Sequence, residues 1–237
     1  MAYSSITFLD KNPIKRFLQN KRLSVALSVM DKNDKNPSIC DFGSGNGELL
    51  KRVNLASSRL TCYEPSPELI AEAKENLTSM TNVDFTQHVD SIPELSQDYV
   101  FCLEVFEHLP EKETIDALKN ISRILKKNGT LIIGVPVEIG APAIYKGLFR
   151  LTRRRKTFDT SLRNIISASL FSPPKIRPKG EIAEGFNFHF EHMGFDHRKL
   201  KSTLADHFNI KRVFYSPFNA VSLLMPEIYF EVEKKGL

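Results

Sequence analysis

The stretch Ser38-Ile39-Cys40-Asp41-Phe42-Gly43-Ser44-Gly45-Asn46-Gly47-Glu48-Leu49-Leu50 constrains the fold of this chain more than any other. Small and apolar residues that suit a short buried strand run into three glycines on alternate positions. Glu48 to Arg52 then resumes in a pattern that suits a helix. Strand, glycine turn and helix in this order make a binding element. Gly43 and Gly45 allow positive φ and let a ligand lie against the backbone, and the start of the expected helix offers unpaired N–H groups.

Spacing narrows the ligand. A dinucleotide fingerprint, G-x-G-x-x-G, places its third glycine at the sixth position, where this chain has Glu48; its third glycine, Gly47, comes one residue early. A phosphate-binding Walker loop needs Gly-Lys-Ser/Thr next, and none follows. The pattern Asp41-x-Gly43-x-Gly45-x-Gly47 is a different turn, and its meaning depends on what lies downstream.

An alternating series of strands and helices follows. Leu60 to Glu64 reads as a strand ending in a carboxylate 21 residues after Gly43, and Pro65-Ser66-Pro67-Glu68 opens a helix through Leu77, with Ser66 as its cap. In a doubly wound sheet the second strand ends beside the first, so Glu64 is placed to accept both hydroxyls of a ribose held over the glycines. Val83 to His88 reads as a third strand with Asp90-Ser91-Ile92 after it, and Tyr99 to Leu103 as a fourth. A long amphipathic helix carries Ile115, Leu118, Ile121 and Ile124 and is expected to stop at Gly129. Thr130 to Val135 is a nearly all-apolar fifth strand, as a central parallel strand should be.

The successive motifs D-F-G-S-G-N-G, Y-E-P-S-P, D-S-I, E-V-F-E-H-L-P and K-K-N-G-T-L-I-I-G-V-P, between about Asn36 and Pro136, resemble those of class I S-adenosylmethionine-dependent methyltransferases. The resemblance is greatest to the branch that includes ubiquinone-biosynthesis O-methyltransferases and related small-molecule enzymes. It implies an α/β fold with a doubly wound, mostly parallel seven-stranded, Rossmann-like sheet, to which this chain's own residues add an N-terminal helical cap and a basic helical insertion after the fifth strand. It implies S-adenosyl-L-methionine as cofactor. Asp41, Gly43, Ser44 and Gly45 would hold its methionine end, Glu64 and Pro65 its ribose, Asp90 and Ser91 its adenine edge, and Cys102 and Leu103 would border it through their backbone. The organisation expected is one methyltransferase domain over 1–237, divided into a cap (1–38), a cofactor-binding core (39–136), the insertion (137–195) and a C-terminal helix with two strands (196–237).

Methyl transfer from a sulfonium is an in-line displacement from an activated donor, so the protein aligns the acceptor and removes a proton where the acceptor is a hydroxyl or ammonium. Glu104, Glu107 and His108 stand at i, i+3 and i+4 at the mouth of the sheet. Three roles stay open: Glu107 and His108 as structural groups, as a general base, or, with Glu104 and His192 or His189, as ligands of a divalent ion such as Mg2+ or Mn2+. The last follows from the resemblance of E-x-x-E-H to the metal motif of some relatives. Mixed carboxylate and imidazole donors suit such an ion.

Charge separates the insertion from the rest. Residues 141–180 hold ten Lys or Arg (Lys146, Arg150, Arg153, Arg154, Arg155, Lys156, Arg163, Lys175, Arg177, Lys179) against one acid, Asp159, while the whole chain is only +5. Ile144, Leu148 and Leu151 form one helical stripe, and Asp159 is expected to cap a second helix with Leu162, Ile165 and Ile166. Such a segment fits a substrate lid with solvated charges, an anionic membrane surface that admits a lipid-linked acceptor, or nucleic-acid phosphates. Tyr145, Phe149 and Phe158 fall on apolar stripes as packing groups, which disfavours nucleic acid and favours a lid that is also membrane-facing.

Residues 1–38 read as a cap in which Asn12-Pro13 starts a helix carrying Ile14, Phe17, Leu18, Ala26 and Leu27. Cys40, Cys62 and Cys102 share no metal or redox spacing and fall within strands, as buried thiols of a reducing compartment do. With no membrane-length apolar run and no cleavable leader, the expected location is cytoplasmic, peripheral at the inner face of the membrane if the insertion binds lipid. The composition leaves open the identity of the acceptor, which is read as a small or lipid-linked molecule, and the oligomeric state.

Overall fold

A computed structural model describes residues 13–53, 58–153, 157–218 and 222–235, with side chains from residue 16 onward. Its elements in chain order are α1 (Pro13–Leu27), β1 (Ser38–Phe42), β2 (Arg59–Tyr63), α2 (Pro67–Asn76), β3 (Val83–Thr86), β4 (Gln97–Leu103), α3 (Glu111–Ile124), β5 (Leu125–Pro136), α4 (Ala141–Arg153), α5 (Leu162–Ser169), β6 (Gly180–Ala183), β7 (Phe186–Phe188), α6 (His197–His207), β8 (Phe208–Ser216) and β9 (Glu227–Lys234). Seven strands make one sheet in the order β3-β2-β1-β4-β5-β9-β8. The pairs from β3 to β5 are parallel, whereas β9 runs antiparallel to both its neighbours. The order reverses between β1 and β4, and there the carboxyl ends of neighbouring strands diverge and leave a crevice.

Alternation along the central strands fills two cores. Val100 and Cys102 of β4 and Leu131 and Ile133 of β5 join α3 and α6 on one face. Tyr99 and Phe101 with Ile132 join Leu23 and Ala26 of α1 and Ala73 and Leu77 of α2 on the other. Both faces are covered, which is why these strands read as apolar runs. All three cysteines are buried and unpaired within these cores. The expected cap Asn12 lies outside the described residues.

Four local expectations are corrected. The segment after the glycines is turn followed by a single 3-10 turn, Leu50–Arg52, and no α-helix begins at Glu48. Gly129 is not a helix stop: α3 ends at Ile124, Leu125 is already extended, and Gly129 lies within β5, where a Cβ would stand 2.9 Å from the Gln97 carbonyl oxygen. Asp159 does not cap α5, a role taken by Ser161; it is buried in the preceding 3-10 turn and accepts from Met193 N at 2.9 Å. The insertion is not wholly helical, because β6 and β7 form an antiparallel hairpin.

The insertion also spends part of its charge inside the molecule. Glu138, fully buried, receives a bidentate pair from Arg150 at 2.8 and 2.8 Å and Lys146 Nζ at 3.1 Å. Burial alone would raise its pKa, but Lys146, His192 and Arg150 hold it well below the ordinary carboxylate value. Arg177 donates to the backbone carbonyls of Glu107, Glu191 and Met193. Three of the ten cations are thus structural. Removing one partner of a buried ion pair strands the others, so Glu138→Ala is expected to cost about 3 kcal/mol of folding stability, measured as a lowered urea midpoint at constant slope.

Candidate active site

The glycine turn is positioned by the end of β2. Gly43 N and Ser44 N both donate to Tyr63 O, at 2.8 and 3.0 Å, which draws the turn across the neighbouring strand end. Gly43 has φ +78° and Gly45 +54°. At Gly43 a Cβ would lie 2.6 Å from Val105 Cγ2, so both conformation and space demand glycine. Glu64 then closes the turn: its Oε2 accepts from Gly45 N and its Oε1 from Ser66 N, each at 2.9 Å. One carboxylate thereby joins the glycine turn to the start of α2.

A cavity of about 440 Å³ opens over this turn. Of the residues singled out in the sequence, Asp41, Gly43, Ser44, Gly45, Glu64, Pro65, Leu103, Glu104 and His108 line it. Asp90 and Ser91 do not: they sit exposed in the 3-10 turn Val89–Ser91, where Ser91 Oγ bonds His88 O. Cys102 is wholly buried and outside the lining, and Glu107 and His192 lie behind His108. Asp41 and Glu64 are both buried. Burial, and then Glu64, push Asp41 up to about 8; burial also raises Glu64, against the lowering effect of the N–H groups of Ser66 and Gly45. Two carboxylates that resist ionisation at one cavity wall favour a cationic, hydroxyl-bearing ligand.

The opposite wall came from elements that the sequence reading did not connect to the site. Gln19, Arg22 and Leu23 of α1 and Lys112, Glu113, Asp116 and Asn120 of α3 line it, with Ile182, Phe186, Phe188 and Phe190 from the hairpin region. Asn187 Nδ2 ties the hairpin to Glu113 at 2.7 Å. The alternation Phe186-Asn187-Phe188-His189-Phe190 was a legible strand signal. Arg22 carried none, since its partners are Glu227, bonded at Nε 2.7 Å away, and Glu104, whose Oε2 is 3.2 Å from Nη1. Glu104 has φ +56°, a left-handed conformation costly for a side-chain-bearing residue, held by Glu104 N donating to Gly134 O at 2.8 Å.

Glu107, His108 and His192 each offer a ligand atom, and these lie within 4.8 Å of one another. Glu104 is outside this group and faces Arg22. His189 also turns away, its Nδ1 2.7 Å from Pro178 O. His108 is clamped: its Nδ1 lies 2.5 Å from His189 O, His189 N donates back to His108 O at 2.7 Å, and the ring stacks on Phe188 at 4.5 Å between centroids. Because a carbonyl only accepts, Nδ1 carries the proton and Nε2 keeps its lone pair. Burial and then His192 lower the His108 pKa to about 3, and burial and then Glu104 raise Glu107 well above the usual range. Both Glu107 carboxylate oxygens are buried without a hydrogen-bond partner. Unsatisfied carboxylate oxygens beside two imidazoles fit a Mg2+ or Mn2+ ion, which would supply Lewis-acid polarisation of an acceptor oxygen.

A parallel sheet that turns at a glycine loop, with a strand-end carboxylate over that loop, is an arrangement that class I S-adenosylmethionine-dependent methyltransferases share with other Rossmann-like nucleotide-binding folds. Residues 40–131 match the family model described as a methyltransferase domain, and this part of the chain is such a domain, with S-adenosyl-L-methionine as its cofactor. The chain is similar to nodulation protein S of Azorhizobium caulinodans, 28% identical over 123 residues that make up 50% of this chain and 58% of that protein. It is 30% identical to the ubiquinone biosynthesis O-methyltransferase of Xanthomonas oryzae pv. oryzae over 102 residues, 40% of this chain and 41% of that protein. The chain therefore spans about half the length of the curated relatives it matches. A crystal structure of a SAM dependent methyltransferase from Aquifex aeolicus shares the fold at a TM-score of 0.58 and 14% identity, covering 98% of both chains.

Glu64→Ala is expected to weaken S-adenosylhomocysteine binding about 10- to 100-fold, the range for losing hydrogen bonds to a charged group. Calorimetry checks it, and unchanged affinity would remove the ribose role from Glu64. Asp41 supplies a pH test. Its raised pKa keeps it protonated in the folded state while the unfolded chain has already ionised, so the ligand-free fold loses stability as pH rises from about 4 to about 8. Thermal melts across that range should show the decline, and Asp41→Asn should flatten it.

Proposed function

We propose that the chain transfers the methyl group of S-adenosylmethionine to an oxygen of a small organic or lipid-linked acceptor. The observation that carries this reading is the single cavity that joins the glycine turn and Glu64 to His108 and the phenylalanines of the hairpin. One end suits the nucleoside and amino-acid parts of the cofactor. The other combines the hairpin phenylalanines and one fixed imidazole with polar side chains of α1 and α3. S-adenosylmethionine supplies an electrophilic methyl on sulfur, and the protein's own work is alignment and proton management.

The residues divide as follows. Asp41, Gly43, Ser44 and Gly45 hold the methionine end, Glu64 and Pro65 the ribose, and Leu103 borders the cofactor. Asp90 and Ser91 are assigned to the adenine edge as the exposed rim of the same strand ends. Phe186 and Phe188 exclude water and orient a planar or apolar acceptor against α3. His108 Nε2, with its lone pair fixed by the Nδ1 contact to His189 O, accepts the hydrogen bond of the acceptor hydroxyl. Glu107 stands 3.8 Å from that nitrogen, but burial holds its carboxyl protonated, so His108 Nε2 and not Glu107 is the atom that takes the proton. The names of the relatives support an oxygen acceptor, the ubiquinone-pathway enzyme being an O-methyltransferase.

The test is transfer of radiolabelled methyl from S-adenosylmethionine into a cell extract, with and without Mg2+, followed by separation into organic-soluble, small aqueous and macromolecular fractions. Label is expected in the organic or small aqueous fraction. His108→Ala should lower turnover by about 10²- to 10⁴-fold, the usual contribution of positioned acid–base groups, with S-adenosylhomocysteine affinity preserved. Label confined to RNA would replace the small acceptor with a nucleic acid, and no label with intact cofactor binding would leave a binding module.

A further inference from the structure

The outward faces of α4 and α5 expose apolar side chains that the fold leaves uncovered. Ile144, Leu148 and Phe149 on α4, Leu162 and Ile166 on α5 and Leu170 at its C-terminal cap are between 48% and 72% exposed. The helices meet along a different seam, where Ala143, Ile165 and Ala168 are buried and a Cβ on Gly147 would lie 2.7 Å from Ile165. Tyr145 and Phe149, both expected as packing groups, are instead 41% and 51% exposed. Patches of this kind mark contact surfaces on soluble domains.

The charges around them have one sign. Arg153 lies over the Phe149 ring at 4.8 Å, and Arg163, Lys175 and Lys179 are exposed. Asp159, the sole acid of 141–180, is buried. Among the described residues this segment therefore presents cations and apolar groups to the outside and no carboxylate.

We propose that this face docks on an anionic lipid bilayer, with the apolar side chains entering the headgroup region and the cations pairing with lipid phosphates. Charge complementarity selects that occupant. A second copy would meet the face with the same cations across a two-fold axis. Nucleic acid would leave the aliphatic side chains without partners, since bases stack on aromatic or guanidinium planes. Among the described residues no helix is long and apolar enough to cross a membrane, so the contact is peripheral. Beyond α5 in the same segment, Ile176 is 89% exposed and the next residue, Arg177, bonds the Glu107 carbonyl.

The experiment is co-sedimentation of the full chain with phosphatidylcholine vesicles, with and without phosphatidylglycerol. Binding is expected only with phosphatidylglycerol, weakening as salt is raised, by about fivefold for each cation lost from the contact. The double substitution Leu148→Glu with Ile166→Glu, both at exposed positions, should lower vesicle binding at least about tenfold and leave circular dichroism and S-adenosylhomocysteine affinity unchanged. Equal partitioning of the wild type to both vesicle types would overturn the proposal, as would retained binding by the folded variant. Sedimentation velocity without lipid gives a third result against it: a wild-type dimer converted to monomer by the same substitutions would assign the face to a second copy.

Discussion

Everything at the site depends on how β1 and β2 end side by side. Their parallel register pairs Phe42 with Tyr63, so Tyr63 O stands where the chain leaves β1 and takes the N–H groups of Gly43 and Ser44. The next residue, Glu64, binds Gly45 N and Ser66 N. Without these bonds the turn would have no reason to keep its amides gathered beneath the cavity. A longer β2 would carry Glu64 past the turn, and a bulkier residue at Gly43 would collide with Val105. The binding site is a consequence of strand length and register before it is one of side-chain chemistry.

Charge sets the second constraint. Asp41, Glu64, Glu104 and Glu107 are all held above their ordinary pKa, with burial the largest cause in each. Only Glu104 has a close cation, and Arg22 divides itself between Glu104 and Glu227. The contrast with Glu138 is informative. It is as deeply buried as Glu107, yet Lys146 and Arg150 keep it ionised. The fold can neutralise a buried acid where it needs only a strut. At the cavity it leaves Asp41 and Glu64 without a cation, which is the arrangement a cationic ligand stabilises.

The parts of this arrangement that were legible in the sequence are those encoded locally. The turn at Gly43, the Ser66 cap and the apolar β5 each carry their cause within a few residues, and Glu64 could be placed because parallel strands end together. Readings failed where tertiary contacts outweighed local preference. Glu48 to Arg52 has the residue types of a helix but follows Gly47, whose φ of +77° continues the turn. Gly129 looks like a helix terminator, whereas α3 yields to pairing with β4 four residues earlier. Asp159 has the chemistry of a cap, but Arg150 and Met193 N claim it first. Arg22 was invisible because its partners are 82 and 205 residues away.

The acceptor side of the cavity draws on α3 within the matched methyltransferase domain and on stretches outside it, α1 and the hairpin. The match ends at residue 131, whereas the hairpin, His189, His192 and Arg177 all come from the insertion. His108 belongs to both: its position comes from the end of β4, and its tautomer from His189 O. Low overall identity with a matching core is what such a division produces. The forty residues that supply the basic excess also supply Arg177, whose bond to the Glu107 carbonyl ties the insertion to the segment that carries His108.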